Sequence, residues 1–203
     1  MKVFRFIILV VLVGLVVLIA YSFVYFNSMK ATPEWYVEPP AMPTQLADAI
    51  LSRANTKFET AYKDAAAGLP FTVGIDYRAL ESYLLINHDK DLAANGIERP
   101  QLVKAGNELR LSAKITKGPL AGAVIYTLVK LEPTPEGNLL ITTGRIMSGN
   151  KPVPGFVVSR VEKAIGMKIG SITVKPQDFD INAKLIDIKL DEDEAVFTLR
   201  KTK

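Results

Sequence analysis

His88 is the only histidine of the chain, and there is no cysteine. Nucleophilic chemistry of the Ser-His-Asp or Cys-His kind would therefore have to be built around one imidazole. No G-x-S-x-G elbow accompanies it. His88 stands in a polar stretch, Asn87-His88-Asp89-Lys90-Asp91, which reads as a solvated loop. Ser148-x-x-Lys151 has the spacing by which one helical turn sets a lysine beside a nucleophilic serine. Here Gly149-Asn150 lies between the two and Pro152 follows, a poor sequence for a helical turn. The S-D-N and K-T-G companions are missing too, so the spacing reads as coincidence.

Residues 191–194, Asp-Glu-Asp-Glu, offer the carboxylate oxygens that calcium takes. They lack the alternation of acids and the glycine of a dedicated loop, so they read as a solvated hairpin tip. No glycine-rich phosphate loop or dinucleotide fingerprint is present. The sequence thus predicts no catalytic residues, no metal ligands and no cofactor. Its most suggestive stretch is a strand over 120–131 that is apolar on both faces (Ala123, Ile125, Val129; Val124, Tyr126, Leu128). Such a strand is either central to a core or the wall of an apolar pocket.

What must position these residues begins with the N-terminus. Residues 6–26, FIILVVLVGLVVLIAYSFVYF, are uncharged, and 16 of the 21 are Ile, Leu, Val or Phe. At helical rise the run spans about 31 Å, the thickness of a bilayer's hydrocarbon core. A cleaved signal peptide would have a shorter apolar region and a small-x-small exit, whereas this run leaves through Tyr21, Phe23, Tyr25 and Phe26. It reads as an uncleaved signal anchor. Lys2 and Arg5 place residues 1–5 in the cytoplasm and everything past residue 30 outside it. The expected location is the cell membrane, single-pass, with the bilayer as partner through residues 6–26. Tyr21, Tyr25, Trp35 and Tyr36 would then lie near the outer interface.

The net charge of +4 invites a nucleic-acid reading. Residues 1–30 carry three basic groups and no acid, leaving 22 basic against 21 acidic beyond them. A nearly neutral exported domain lacks the footprint that phosphate binding needs, so nucleic acid is not an expected partner.

Residues 27–43 contain four prolines and read as a semi-extended stalk. From 44 to 203 one α+β domain is expected. A helix over 44–67 is capped by Thr44 and stopped by Gly68 and Pro70, and it packs across a sheet face. A strand over 71–75 is followed by Asp76, which caps a helix over 77–86 facing inward through Leu80, Tyr83 and Leu84. A polar loop covers 87–100. Gly106-Asn107 turns a hairpin with one wet face (Arg110, Ser112, Lys114). Strands over 120–131 and 139–147, a short helix over 156–165 and a strand at 172–174 follow. A strand over 180–190 changes apolar parity at Leu185-Ile186, which suggests a bulge, and the last strand covers 195–200. The fold class is a long amphipathic helix packed on a curved, mostly antiparallel sheet.

The order of single pass, helical segment, paired strands, short helix and closing strands resembles the YpmS-like bacterial envelope proteins over residues 71–190. Gly137 with 139–147, Gly149, Pro152-Val153-Pro154 and the helix over 156–165 carry the likeness. Lys151 stands where that family tends to have the first residue of Leu-Pro-Leu-Pro. The architecture is also similar to tubular lipid-binding domains, in which a long helix lies in a curled sheet, and that similarity implies an apolar ligand. The expected function is a non-enzymatic, membrane-anchored domain that binds lipid or another apolar ligand. Its pocket would be lined by Ile125, Val129 and the helix over 44–67. The alternative is a structural or assembly module that contacts other envelope proteins.

Overall fold

Pro43 opens the first long helix: its carbonyl accepts from the amides of Leu46 and Ala47, both at 3.0 Å. Proline suits a helix start because the first turn has no use for its missing N–H. The cap is therefore Pro43, not Thr44, and helix α1 is Thr44–Asp64. The computed structural model describes residues 25–165, 170–179 and 181–202. The expected span at 6–26 lies outside them but for Tyr25 and Phe26. Among the described residues no helix is long and apolar enough to cross a membrane.

Strand β1 (Pro70–Asp76) runs straight into helix α2 (Tyr77–Ala94). Asp76 caps it as expected, its carboxylate accepting from the Arg78 amide at 2.7 Å. The helix does not stop at residue 86. Asn87, Asp89, Lys90 and Asp91 form its solvent side, and Leu92, buried, continues the inward face one heptad after Leu85. His88 is thus helical rather than in a loop. The inward set also differs from Leu80, Tyr83 and Leu84: Tyr77, Ala79, Glu81 and Ser82 are buried, and Tyr83 is exposed. Gly96 ends the helix at φ 68°, a left-handed turn that glycine adopts without strain.

Strands β2 (Ile97–Ala105) and β3 (Glu108–Ile115) form the hairpin. Gly106, at φ 66°, takes the first central place of its two-residue turn. Strand β4 (Val124–Pro133) starts four residues later than expected, because tight turns use up 118–123. The return strand is split. Strand β5 (Leu139–Thr143) pairs with the far half of β4, and β6 (Met147–Ser148) pairs with Ile125 and Tyr126. Between them the Gly144 carbonyl accepts from the Thr127 hydroxyl at 3.0 Å. Strand β7 (Lys151–Pro152) folds back on β6, and helix α3 (Gly155–Ile165) follows. Strand β8 (Ser171–Val174), a 3-10 turn (Pro176–Phe179) and the hairpin β9 (Ala183–Leu190) and β10 (Glu194–Lys201) complete the chain.

The strands make two antiparallel sheets rather than the expected one. The smaller runs β1-β10-β9, and the larger β2-β3-β4-β5-β8 with β6 and β7 attached at β4. The parity slip at Leu185-Ile186 is a bulge, since Thr198 faces Asp187 but Leu199 faces Leu185. One face of the larger sheet carries Leu109, Leu111, Ala113, Ile125 and Val129. Val157 and Leu92 of the helices cover one end of it; Tyr77, Ala195 and Phe197 cover the other. Helix α1 lies on α2 and β1, where Phe58 and Tyr62 join Phe71, Leu185 and Leu199.

Residues 25–29 are helical and residues 30–43 have little regular structure, as a proline-rich segment should, but the whole stretch lies on the domain. Met29 is fully buried, Trp35 stacks edge-on at 5.1 Å from Tyr126, and the Arg110 guanidinium sits 4.0 Å over the Trp35 ring. The hairpin face expected to be wet is the one this strap covers, and Ser112 is only 1% exposed.

Candidate functional site: a cleft beneath the N-terminal strap

Where the strap passes α2 and β2 it leaves a cleft of about 830 Å³. Its apolar surface comes from Val37, Pro40 and Met42 on the strap side and Leu85, Leu92 and Leu102 on the other. The floor is set by a kink. Strand β2 changes register between Glu98 and Gln101, with Arg99 between them at φ 53°, a conformation that costs a non-glycine residue about 1–2 kcal/mol. Glu38 of the strap pairs with Arg99 and also lies 3.3 Å from Lys114 Nζ. Ser82 Oγ, fully buried, is 3.3 Å from Met42 Sδ and 2.7 Å from the Arg78 carbonyl. These contacts close the strap side.

Glu81 is the most constrained acid of the cleft. It is 9% exposed, and the Leu102 amide donates to its Oε1 at 2.7 Å. Burial pushes its carboxyl above the usual range, opposed by the Leu102 hydrogen bond and by Arg78, while Asp76 adds to the rise. Asp76, Asp89, Glu98 and Asp193 also line the cleft, against Arg78 and Arg99. Its polar rim is therefore acidic on balance. Tyr77 holds the inner end: its hydroxyl donates to the Asp191 carbonyl at 2.8 Å and its amide to the Asp193 carbonyl at 3.0 Å. Burial, then the acids at 191–194, push the Tyr77 phenol up.

Residues that the sequence singled out for chemistry lie elsewhere and do not meet. His88 is beside Tyr83, ring centres 6.3 Å apart. Ser148 and Lys151 are opposite each other in the β6–β7 hairpin, not on a helical turn. Ser148 Oγ is buried 2.7 Å from the Met29 carbonyl and 3.0 Å from that of Val124. The Lys151 ammonium sits 4.9 Å from the Tyr25 ring. At the hairpin tip, Asp191, Glu192 and Glu194 lie within 4 Å of Lys189, Lys104 and Lys57. Among the described residues no group of three or more candidate ligands is arranged for a metal.

The expected pocket wall is divided. Ile125 is buried with Ala113, Ile115 and Val157, whereas Val129 belongs with Tyr77, Leu109 and Ala195. Ile125 does line an apolar space of about 50 Å³ with Leu84, Leu111 and Val161, and α1 contributes nothing to it. A channel lined jointly by Ile125, Val129 and α1 is not formed among the described residues. Glu81 and the strap were not singled out by sequence reasoning. One signal for Glu81 was available: it stands at i+4 from Tyr77 and i+11 before Leu92, an acid on an apolar stripe. The chain matches no known protein family model, no curated protein and no solved structure.

Proposed function

We propose that the chain is a membrane-tethered, non-enzymatic domain, held outside the cytoplasm by residues 6–26, that binds an amphiphilic ligand in the cleft beneath the strap. The observation that carries this reading is the cleft itself. Its 830 Å³ falls within the span of about 300–1,000 Å³ typical of small-molecule sites. Its lining mixes apolar side chains with an excess of acids, which suits an amphiphile with a cationic or zwitterionic head. The lipid class expected from the sequence is kept, and its seat moves from the β4 core to the strap. The reading as a non-enzyme is supported by Ser148, whose hydroxyl is occupied by backbone carbonyls in the core.

Native mass spectrometry of the full chain, released from nanodiscs of cell-envelope lipids, tests it. A retained amphiphile of one mass class is expected. Leu85→Trp, which narrows the cleft, should retain less of that mass while the chain stays folded. Repeated recovery of bare protein, with no lipid-dependent shift in melting temperature, would reject the binding role. The second reading, a structural module for envelope assembly, is favoured by the burial of Ile125 and Val129 in two separate clusters, and that negative outcome would leave it standing.

A further inference from the structure

Tyr25 and Phe26 end the apolar run, and both pack against the core formed by Val153, Val157 and their neighbours. The Tyr25 hydroxyl donates to the Pro152 carbonyl at 3.0 Å. A segment that leaves the bilayer and is bonded to the domain within its last two residues allows no swing. The corner between β7 and α3 must then lie at the level of the headgroups. Helix α3 presents an unusual face there. Phe156, Arg160 and Lys163 follow at i, i+4 and i+7, one stripe of the helix, and all three are exposed. Phe156 keeps 46% of its surface exposed although it is one of the larger apolar side chains. Val157, Val158 and Val161 form the neighbouring, core-facing side, and Glu162 falls off the exposed stripe. Lys117, on the turn before β4, joins Phe156 and Arg160 around one shallow depression. An apolar ring framed by cations on an amphipathic helix is the pattern of an interfacial anchor.

We infer that the α3 face of Phe156, Arg160 and Lys163, with Lys117, is a second membrane contact that docks the domain on anionic lipid headgroups. The inference rests on the membrane tether proposed above, since it is the tether that brings this face to the bilayer. Phe156 inserts at the acyl boundary, and the three cations meet phosphate groups. The absence of cysteine makes the test clean. The full chain carrying Phe156→Cys, and separately Asp187→Cys on the smaller sheet, is spin-labelled and reconstituted into vesicles of phosphatidylglycerol and phosphatidylcholine. The label at 156 is expected to be relaxed by oxygen and protected from a water-soluble nickel chelate, and the label at 187 to show the reverse. Adding Arg160→Glu and Lys163→Glu, or omitting phosphatidylglycerol, should abolish the protection at 156. A label at 156 as open to nickel as the one at 187, in chain that survives a carbonate wash of the vesicles, overturns the docking and leaves the tether standing. Chain that washes off in carbonate overturns the tether, and the docking with it.

Discussion

Ser148 and Met29, two fully buried residues, are joined by a hydrogen bond of 2.7 Å from the serine hydroxyl to the methionine carbonyl. The contact binds the strap to the β6–β7 hairpin, and Met29 fills core space among Leu120, Ala123 and Ile146. The strap is therefore a structural part of the domain and not a spacer. A linker of this composition would otherwise be semi-rigid and free of the fold.

The first prediction follows directly. A chain that starts at residue 31 loses Met29, and should be less stable than one that starts at residue 25 by about 2–5 kcal/mol, the range for emptying a buried methionine site. Urea unfolding of the two shortened chains measures the difference. Ser148→Ala in the longer form should cost about 1–3 kcal/mol, because the one hydroxyl proton shared by two buried carbonyls is lost. Equal urea midpoints for the two starts would show that Met29 and the residues beside it are dispensable.

Glu81 supplies a pH dependence whose sign can be worked out. Its carboxyl is held above the ordinary value of 4.5 by burial, so the folded state prefers the protonated form. The stability this brings is complete below the unfolded value and is lost as pH rises through the folded one. Glu81→Gln keeps an acceptor for the Leu102 amide and never ionises. Relative to that variant, the natural chain should lose melting temperature between pH 4 and pH 8. A constant difference across that range would mean that Glu81 is not strained by its burial.

Glycines at positive φ separate strain from steric clash. Gly96 and Gly106 have nearly equal φ, 68° and 66°. A Cβ at Gly96 would fall 2.6 Å from that of Lys117, whereas one at Gly106 would meet nothing within 4 Å. Gly106→Ala should cost about 1–2 kcal/mol from conformation alone. Gly96→Ala must also displace the Lys117 backbone region, so it should cost more. Thermal melts of the two variants decide it, and equal costs would refute the clash.

Local features of this fold were legible in the sequence because single residues encode them. Asp76 signals a cap, Gly106-Asn107 a two-residue turn, and the change of parity at Leu185-Ile186 a bulge. Errors came where a non-local contact decided the outcome. Asn87 to Asp91 look like a loop, and only the burial of Leu92 beyond them shows a helix with a wet side. Arg110, Ser112 and Lys114 look solvent-facing, and only the docking of Trp35 and Glu38 covers them. The strap has no period by which such docking could be read. The cleft is illegible for the same reason: its walls come from residues near 40, 80, 100 and 193, which no spacing links.

Trp35 gives the last prediction, because it is the only tryptophan and it lies on the strap. Its ring faces Tyr126 and the Arg110 guanidinium, so its emission reports strap docking, while far-UV circular dichroism reports the sheets and helices. If the strap belongs to the cooperative unit, the two signals must follow one transition in urea. Arg110→Ala removes a cation–π contact of about 0.5–2 kcal/mol and should lower the shared midpoint without splitting it. A red shift of Trp35 at urea concentrations where the dichroism is still native would show that the strap lifts off on its own. In that case the cleft would open with it, because Val37 and Met42 form its outer wall.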